Sequence, residues 1–548
     1  MSDRWYEKAV VYCLDIDTFA DSNGDGVGDL RGLIGRLDYL ARLGVTCLWL
    51  NPIHPTPNRD DGYDVEDFYN VDPRFGNLGD FAELLHQAGN RGIKVIIDLV
   101  VNHTSDQHPW FQSARSSPDS PYRDWYVWSE TQPPDRHQGM VFPGEQNETW
   151  TYDRTAKQWY YHRFYKFQPD LNITNPQVRE EIKKICAFWL QLGVAGFRMD
   201  AVPFIIEETE PGNPQSPKDL AFLTDLRQHI QWRKGDAVLL AEANVEPDQL
   251  KHFFGDGGGS SNRIHMLFDF MLNGRLMLAL ARHDPEQIID ALRDTPALPD
   301  GGQWATFLRN HDEVDLSRLT AEQRNDVFAE FGPDENMQLY GRGIRRRLAP
   351  MLGGDRRRIE LAYALQFSLR GTPVLRYGEE IGMGDDLSQK GRDAIRTPMQ
   401  WSSLPNGGFS TAAPKDLVRP VVSDPEYGYE TVNVTLQRHD PASLLSWFER
   451  MIRTLREAPE VGSGTCKHVD VPVPPGVLVH RADDTTGTMV FIHNLGPDDG
   501  VVDLSSLEPE AQFPNDVLAD SEYPDLGKLD ALPVAGYGYR WIRLCRKP

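Results

Sequence analysis

Residues 178–202 read VREEIKKICAFWLQLGVAGFRMDAV, and two periods meet in them. Over 178–192, Val178, Ile182, Ile185, Trp189 and Leu192 recur at three or four residues, the spacing of one buried helical face. Past Gly193 the short apolar run 196–202 reads as a strand. It carries Arg198 and Asp200 two residues apart, hence on one face. Alternation of such helices with such strands is the signature of a parallel sheet.

The same unit recurs outward in both directions. Strands are expected at 9–16, 47–51, 95–101, 196–202, 238–244, 267–271, 304–309 and 373–377. Helices are expected at 33–43, 80–90, 176–192, 219–232, 285–293, 357–369 and 443–455. Eight parallel strands close a barrel, so the fold class is α/β, a (β/α)8 TIM barrel. Two stretches break the rhythm: 105–173, rich in Trp, Tyr, Pro and Asp, and a polar insertion over about 314–355. Long insertions after strands are where barrels place substrate-binding parts. Beyond 463 the period falls to two over 476–481, 488–494, 500–504 and 537–545, which reads as antiparallel strands. The expected organisation is a barrel from 1–104 and 174–462, an inserted loop-rich domain at 105–173, and a C-terminal β-sandwich at 463–548.

Composition narrows the function. The 548 residues carry 57 Lys and Arg against 81 Asp and Glu, a net charge of −24, which disfavours nucleic acid and anionic membrane surfaces and suits a neutral substrate. No apolar run is long enough to span a bilayer, and the N-terminus lacks the basic-then-apolar pattern of a signal sequence, so a cytoplasmic location is expected. The five cysteines, Cys13, Cys47, Cys186, Cys466 and Cys545, are widely spaced without C-x-x-C and read as reduced structural thiols. The arginine triplets 345–347 and 356–358 read as solvated or internally paired, and the glycine clusters NGDGVG and GDGGGS lack the strand–turn–helix order of a nucleotide site.

Barrel enzymes work at the C-terminal ends of their strands, and four strands here end in acid or histidine. These ends hold Asp98, Asn102 and His103; Arg198 and Asp200; Glu242 and Asn244; and Asn310, His311 and Asp312. Three carboxylates converging on one mouth fit glycoside hydrolysis, in which one group attacks an oxocarbenium-like centre and another protonates the leaving oxygen. Arg198 would hold Asp200 ionised as nucleophile, while the apolar run before Glu242 would raise its pKa toward that of a general acid. Tyr63 and the aromatic residues of the insertions can stack on sugar faces. Residues 21–29, DSNGDGVGD, place Asp21, Asn23 and Asp25 at alternate positions with Gly26 at the turn, like the start of a calcium loop. Position twelve, counted from Asp21, is Gly32, so this is no EF-hand, but Asp29 can add an oxygen.

DLVVNH at 98–103, GFRMD at 196–200, AEAN at 241–244 and NHD at 310–312 resemble, in order, the four signatures of the α-amylase superfamily, glycoside hydrolase family 13. QPDLN at 168–172 resembles a fifth signature, that of the oligo-1,6-glucosidase and trehalose synthase branch. FLRNHDE at 307–313, GIRRRLAP at 343–350, IGMGDD at 381–386 and RTPMQW at 396–401 look most like the trehalose synthase side of that branch. The resemblance covers nearly the whole chain. It implies Asp200 as nucleophile, Glu242 as acid/base and Asp312 as transition-state stabiliser, with His103, Arg198 and His311 on the sugar. It also implies a clamp on the non-reducing end by Asp64 of GYD and Arg392 of GRD, and structural Ca2+ at Asp21, Asn23, Asp25 and Asp29.

The expected activity is that of a retaining enzyme on small α-glucosides, best matched by interconversion of maltose and trehalose. A hydrolytic α-glucosidase, a transglucosidase or, more remotely, a non-catalytic scaffold are the alternatives, and a homo-oligomer stays open. The chain departs from the trehalose synthase pattern at Asp17, where arginine is usual, and at His54 and Arg376, where aromatics are. The segment after Asp200 is also shorter.

Overall fold

Helix α1, Pro176–Leu192, begins at Asn175, whose side chain accepts from the Gln177 amide, and has Pro at its first position. It ends at Gly193, whose φ of +123° lies in the region that glycine adopts without penalty. Val178, Ile182, Ile185 and Trp189 are each at most 1% exposed, so the stripe read from the sequence is the face that packs on the barrel. Each such side chain contributes about 1.5–3 kcal/mol of burial. The computed structural model describes residues 4–211, 218–255, 259–295, 297–463, 465–485, 487–507 and 512–545.

The barrel strands are β1 Val11–Leu14, β2 Cys47–Leu50, β3 Lys94–Leu99, β4 Gly196–Met199, β5 Val238–Ala241, β6 Met266–Phe268, β7 Gln303–Phe307 and β8 Thr372–Arg376. Each pairs in parallel with its sequence neighbours and β8 returns to β1, closing the barrel. At Gly196 a Cβ would lie 2.1 Å from the Val238 carbonyl, so the approach of β4 to β5 admits only glycine there.

The expected strand at 267–271 is cut short. It stops at Phe268, and Asp269 caps a helix absent from the sequence reading, Phe270–Arg282. Leu272, Leu276 and Met277 to Leu280 are all buried in it, so the apolar residues form no single stripe and the helical period is masked. The inserted stretch forms a three-stranded antiparallel sheet, Trp128–Ser129, Gln158–Tyr161 and Trp150–Asp153, beside a helix at Pro109–Ser116. The later insertion folds into the short strands Val314–Asp315, Gln338–Leu339 and Gly343–Ile344 with a helix at Ala321–Phe331.

The C-terminal part is a five-stranded antiparallel sheet that shares a core with the two-stranded ribbon of Gly500–Val502 and Leu532–Val534. It is tied to the barrel by Trp447 Nε1, which donates to Tyr539 Oη at 2.5 Å. Cys13, Cys47, Cys186 and Cys466 are free thiols, and burial raises the pKa of each. The side chain of Cys545 lies outside the described residues. In the arginine triplets Arg346, Arg347, Arg356, Arg357 and Arg358 each pair with a carboxylate, while Arg345 donates to backbone carbonyls. Among the described residues no helix is long and apolar enough to cross a membrane.

Candidate active site

A cavity of about 530 Å³ opens at the C-terminal ends of the strands and is lined by Asp200, Glu242 and Asp312 together with Tyr63, His103 and His311. The volume lies within the range of small-ligand sites. Its geometry follows from strand register. Arg198 on β4 is fully buried and sits between three carboxylates: Nη1 donates to Asp200 Oδ1 at 2.6 Å and approaches Asp98 Oδ1 at 3.4 Å, while Nη2 pairs with Glu242. One guanidinium thus holds both Asp200 and Glu242. Ala201, directly after Asp200, has φ +48°, a left-handed conformation that non-glycine residues rarely take. It turns the chain at the strand end, where the Val202 amide donates to the Glu242 carbonyl.

The carboxylates differ because their surroundings differ. Burial pushes Glu242 up to about 8, with Asp200 and Asp312 adding repulsion and Arg198 only partly opposing it. Asp312 is also pushed up by burial, but Arg392 at 2.8 Å and Arg396 at 3.1 Å outweigh this and hold it well below the usual carboxylate range. Asp98, beneath Arg198, is raised by burial to about 7 and accepts from Trp49 Nε1 and Tyr63 Oη.

His311 is driven down to about 3 by burial and is therefore neutral. Tyr63 Oη donates to Asp98 at 2.7 Å and so accepts from His311 Nε2 at 2.8 Å, which places the imidazole proton on Nε2. His103 is buried with its Nε2 2.9 Å from the Tyr63 carbonyl, and its pKa is lowered by burial.

One expected pair does not form. Asp64 is fully buried away from the cavity and is spent on its own loop, accepting from Thr56 Oγ1 at 2.9 Å and from the Arg59 and Asp60 amides. Arg392 does line the cavity, but it holds Asp312 and Glu313 instead. The acid of that loop which faces the cavity is Asp60, bonded by Gln168 Nε2 at 2.8 Å and pushed up by burial to about 6. Three acids crowd residues 60–64, where Asp61 (φ +50°) and Gly62 (φ +93°) both take left-handed conformations, and this turn separates Asp60, which faces the cavity, from Asp64, which does not.

Sequence reading also missed a buried ionic chain behind Asp312. Arg396 reaches Asp312 and, at 2.7 Å, Asp61; Asp61 holds Arg419 at 2.5 Å; and Arg419 holds Asp17 at 3.1 Å. Arg376 pairs with Asp15. The departures at Asp17 and Arg376 are thus each answered by a buried partner of opposite sign, without which an ion would be costly there. His54 is neutral, driven by burial to about 4, and fills a core position against Trp189.

The walls come from both insertions. Phe142 and Phe164 of the first pack with Tyr340 of the second, and Arg392 lies 5.2 Å over the Phe142 ring.

The loop at 21–29 lies elsewhere. Asp21 accepts the amides of Asn23, Gly24 and Gly26, Asp25 accepts that of Val27, and Asp29 caps the helix Leu30–Ile34. Among the described residues no three His, Cys, Asp or Glu side chains converge to hold a metal. The donor set is nonetheless all oxygen, and among the described residues none of these three carboxylates is in an ion pair.

The chain matches the alpha-amylase catalytic-domain model over residues 15–331 and 342–464. It is 42% identical to the trehalose synthase/amylase TreS of Mycolicibacterium smegmatis, over 100% of this chain and 93% of that protein. To the oligo-1,6-glucosidase of Heyndrickxia coagulans it is 31% identical, over 90% and 92%. Among solved structures, the alpha-glucosyl transfer enzyme XgtA superposes with a TM-score of 0.79 at 27% identity, covering 98% of this chain and 99% of that one.

Proposed function

Since this chain belongs to the alpha-amylase family, we propose that it is a trehalose synthase-like enzyme that interconverts maltose and trehalose through a covalent glucosyl–enzyme. The observation that carries this reading is the pair of carboxylates on Arg198, one of them with its pKa raised toward that of a usable acid, inside a cavity walled by two insertions. Identity of 41–42% to trehalose synthases over 99–100% of this chain and 93–96% of theirs supports the substrate class. Asp200 attacks the anomeric carbon, Glu242 protonates the leaving oxygen, and Asp312, held ionised by its arginines, faces the developing positive charge. Neutral His311, with His103, binds the sugar, while Arg198 lies beneath the cavity floor and holds the two carboxylates in place. Asp60 and Arg392 take its non-reducing end, in place of the Asp64 and Arg392 pair.

The isomerase needs the freed glucose to stay beside the covalent intermediate while water is kept out. Incubation of the purified chain with maltose should yield trehalose as the main product with glucose as a by-product. Glucose alone would establish a hydrolytic α-glucosidase, and neither product would overturn the enzymatic reading. Phe142→Ala, which opens the wall, should raise the ratio of glucose to trehalose several-fold while maltose consumption persists. An unchanged ratio would remove Phe142 from water exclusion.

Calcium at Asp21, Asn23, Asp25 and Asp29 belongs to the same proposal, on the grounds of three carboxylates in nine residues that form no ion pair among the described residues, and of hard oxygen donors alone. The role is structural. Excess chelator should lower the melting temperature by a few degrees before kcat changes, and Asp25→Ala should abolish that sensitivity. A melting curve indifferent to chelator would dismiss the ion.

A further inference from the structure

We propose that a small anion binds at the N-terminal end of the barrel, against the guanidinium of Arg227. A cavity of about 150 Å³ opens there between the segment before β1, the helix Leu220–Arg233, and the chain leading into β6. Tyr6, Arg227, Gln231, Ser261 and His265 line it. Arg227 is only 6% exposed, and among the described residues no carboxylate pairs with it. Its Nε is buried without a hydrogen-bond partner. Its Nη1 reaches Ser261 Oγ at 3.4 Å and the Arg263 carbonyl at 3.3 Å, both longer than an ordinary N–H···O bond. Among the other buried arginines, Arg198, Arg347, Arg376 and Arg540 each hold a carboxylate, whereas Arg309 and Arg345 are held by backbone carbonyls at 2.6–3.0 Å, shorter than either contact of Arg227.

The neighbours of Arg227 complete the case. His265 Nδ1 accepts from the Leu239 amide at 3.0 Å, so the single proton of the neutral ring sits on Nε2, beside the Gln231 amide at 3.5 Å. Burial keeps that ring from taking a second proton. The two carboxylates on the rim are already neutralised, Asp300 by Arg4 at 2.7 Å and Asp236 by Lys94 at 3.0 Å. The cavity therefore presents a guanidinium, an imidazole N–H and an amide with no free acid to answer them, which is the complement of an anion. Its volume suits a halide, a phosphate or a short carboxylate, and is too small for a sugar phosphate. Such an ion would link three segments distant in the sequence, far from the catalytic acids, so its effect is on stability.

The test is thermal unfolding of the full chain in sodium chloride, phosphate or acetate, with ionic strength held constant by gluconate. At least one of the three should raise the melting temperature saturably, by about 2–3 °C near 100 times its Kd, and the arm that does so identifies the ion. Arg227→Met should lose the rise and, in gluconate alone, should melt no lower than the parent, because an apolar side chain relieves the buried unpaired charge. A parent curve indifferent to all three salts, or a rise that persists unchanged in Arg227→Met, would overturn the site. Should that variant fail to fold, bromide soaked into crystals of the parent decides the matter: an anomalous peak within hydrogen-bond reach of Arg227 supports the site, and none there refutes it.

Discussion

Asp200→Asn should lower kcat on maltose by roughly 10⁴-fold or more while the far-UV spectrum and melting curve stay close to those of the parent. The loss is large because the carboxylate forms a bond in the first step, and an amide is neither anionic nor nucleophilic enough to replace it. The fold survives because Asp200 lies at the strand end and keeps contact with solvent, 13% of its side chain being exposed, while Arg198 retains Glu242 and Asp98 as partners. A sharper form of the experiment uses Asp200→Gly with azide. The vacated space admits the small anion, which attacks from the face the carboxylate occupied, and the product should be the β-linked glucosyl azide from an α-linked substrate. Recovery of the α-anomer, or turnover of maltose by Asp200→Asn within tenfold of the parent, would end the assignment of Asp200.

Glu242→Gln should cost roughly 10²–10⁴ in kcat/KM on maltose and trehalose, and far less on α-glucosyl fluoride, whose leaving group needs no proton. The pH dependence carries the sign. The working form is the neutral acid, and burial raises its pKa to about 8, so kcat/KM on maltose holds below that pH and falls as pH rises through it. In Glu242→Gln the alkaline limb near 8 should vanish, since glutamine has no proton to lose. An alkaline limb that survives the substitution, or an equal loss on the fluoride, would assign the proton to another group, with Asp98 the first to test.

Part of this was legible because it is a matter of local period. The eight strands stand within a few residues of where alternating apolar runs put them, and the stripe of 178–192 is the buried face of α1. Asp200 and Glu242 were legible for a related reason. A residue just past a strand of a parallel barrel has little choice but to face the mouth, so its position along the strand already specifies its place. The helix Phe270–Arg282 escaped because burial on most of its circumference erases the period that reveals a helix.

The amino-acid sequence by itself determined the barrel, the interrupting segments, and the carboxylates at the strand ends, since each follows from residue spacing along a regular element. Only the tertiary structure decided which acid of residues 60–64 faces the cavity, that Arg392 holds Asp312 and Glu313, and that Asp17 and Arg376 find partners in Arg419 and Asp15. The physical reason is that loops have no repeating geometry to carry a side chain's direction. The sign of a pKa shift depends on charges brought near by segments distant along the chain, and Asp312 and Glu242, both pushed up by burial, part company because Arg392 and Arg396 pair directly with Asp312.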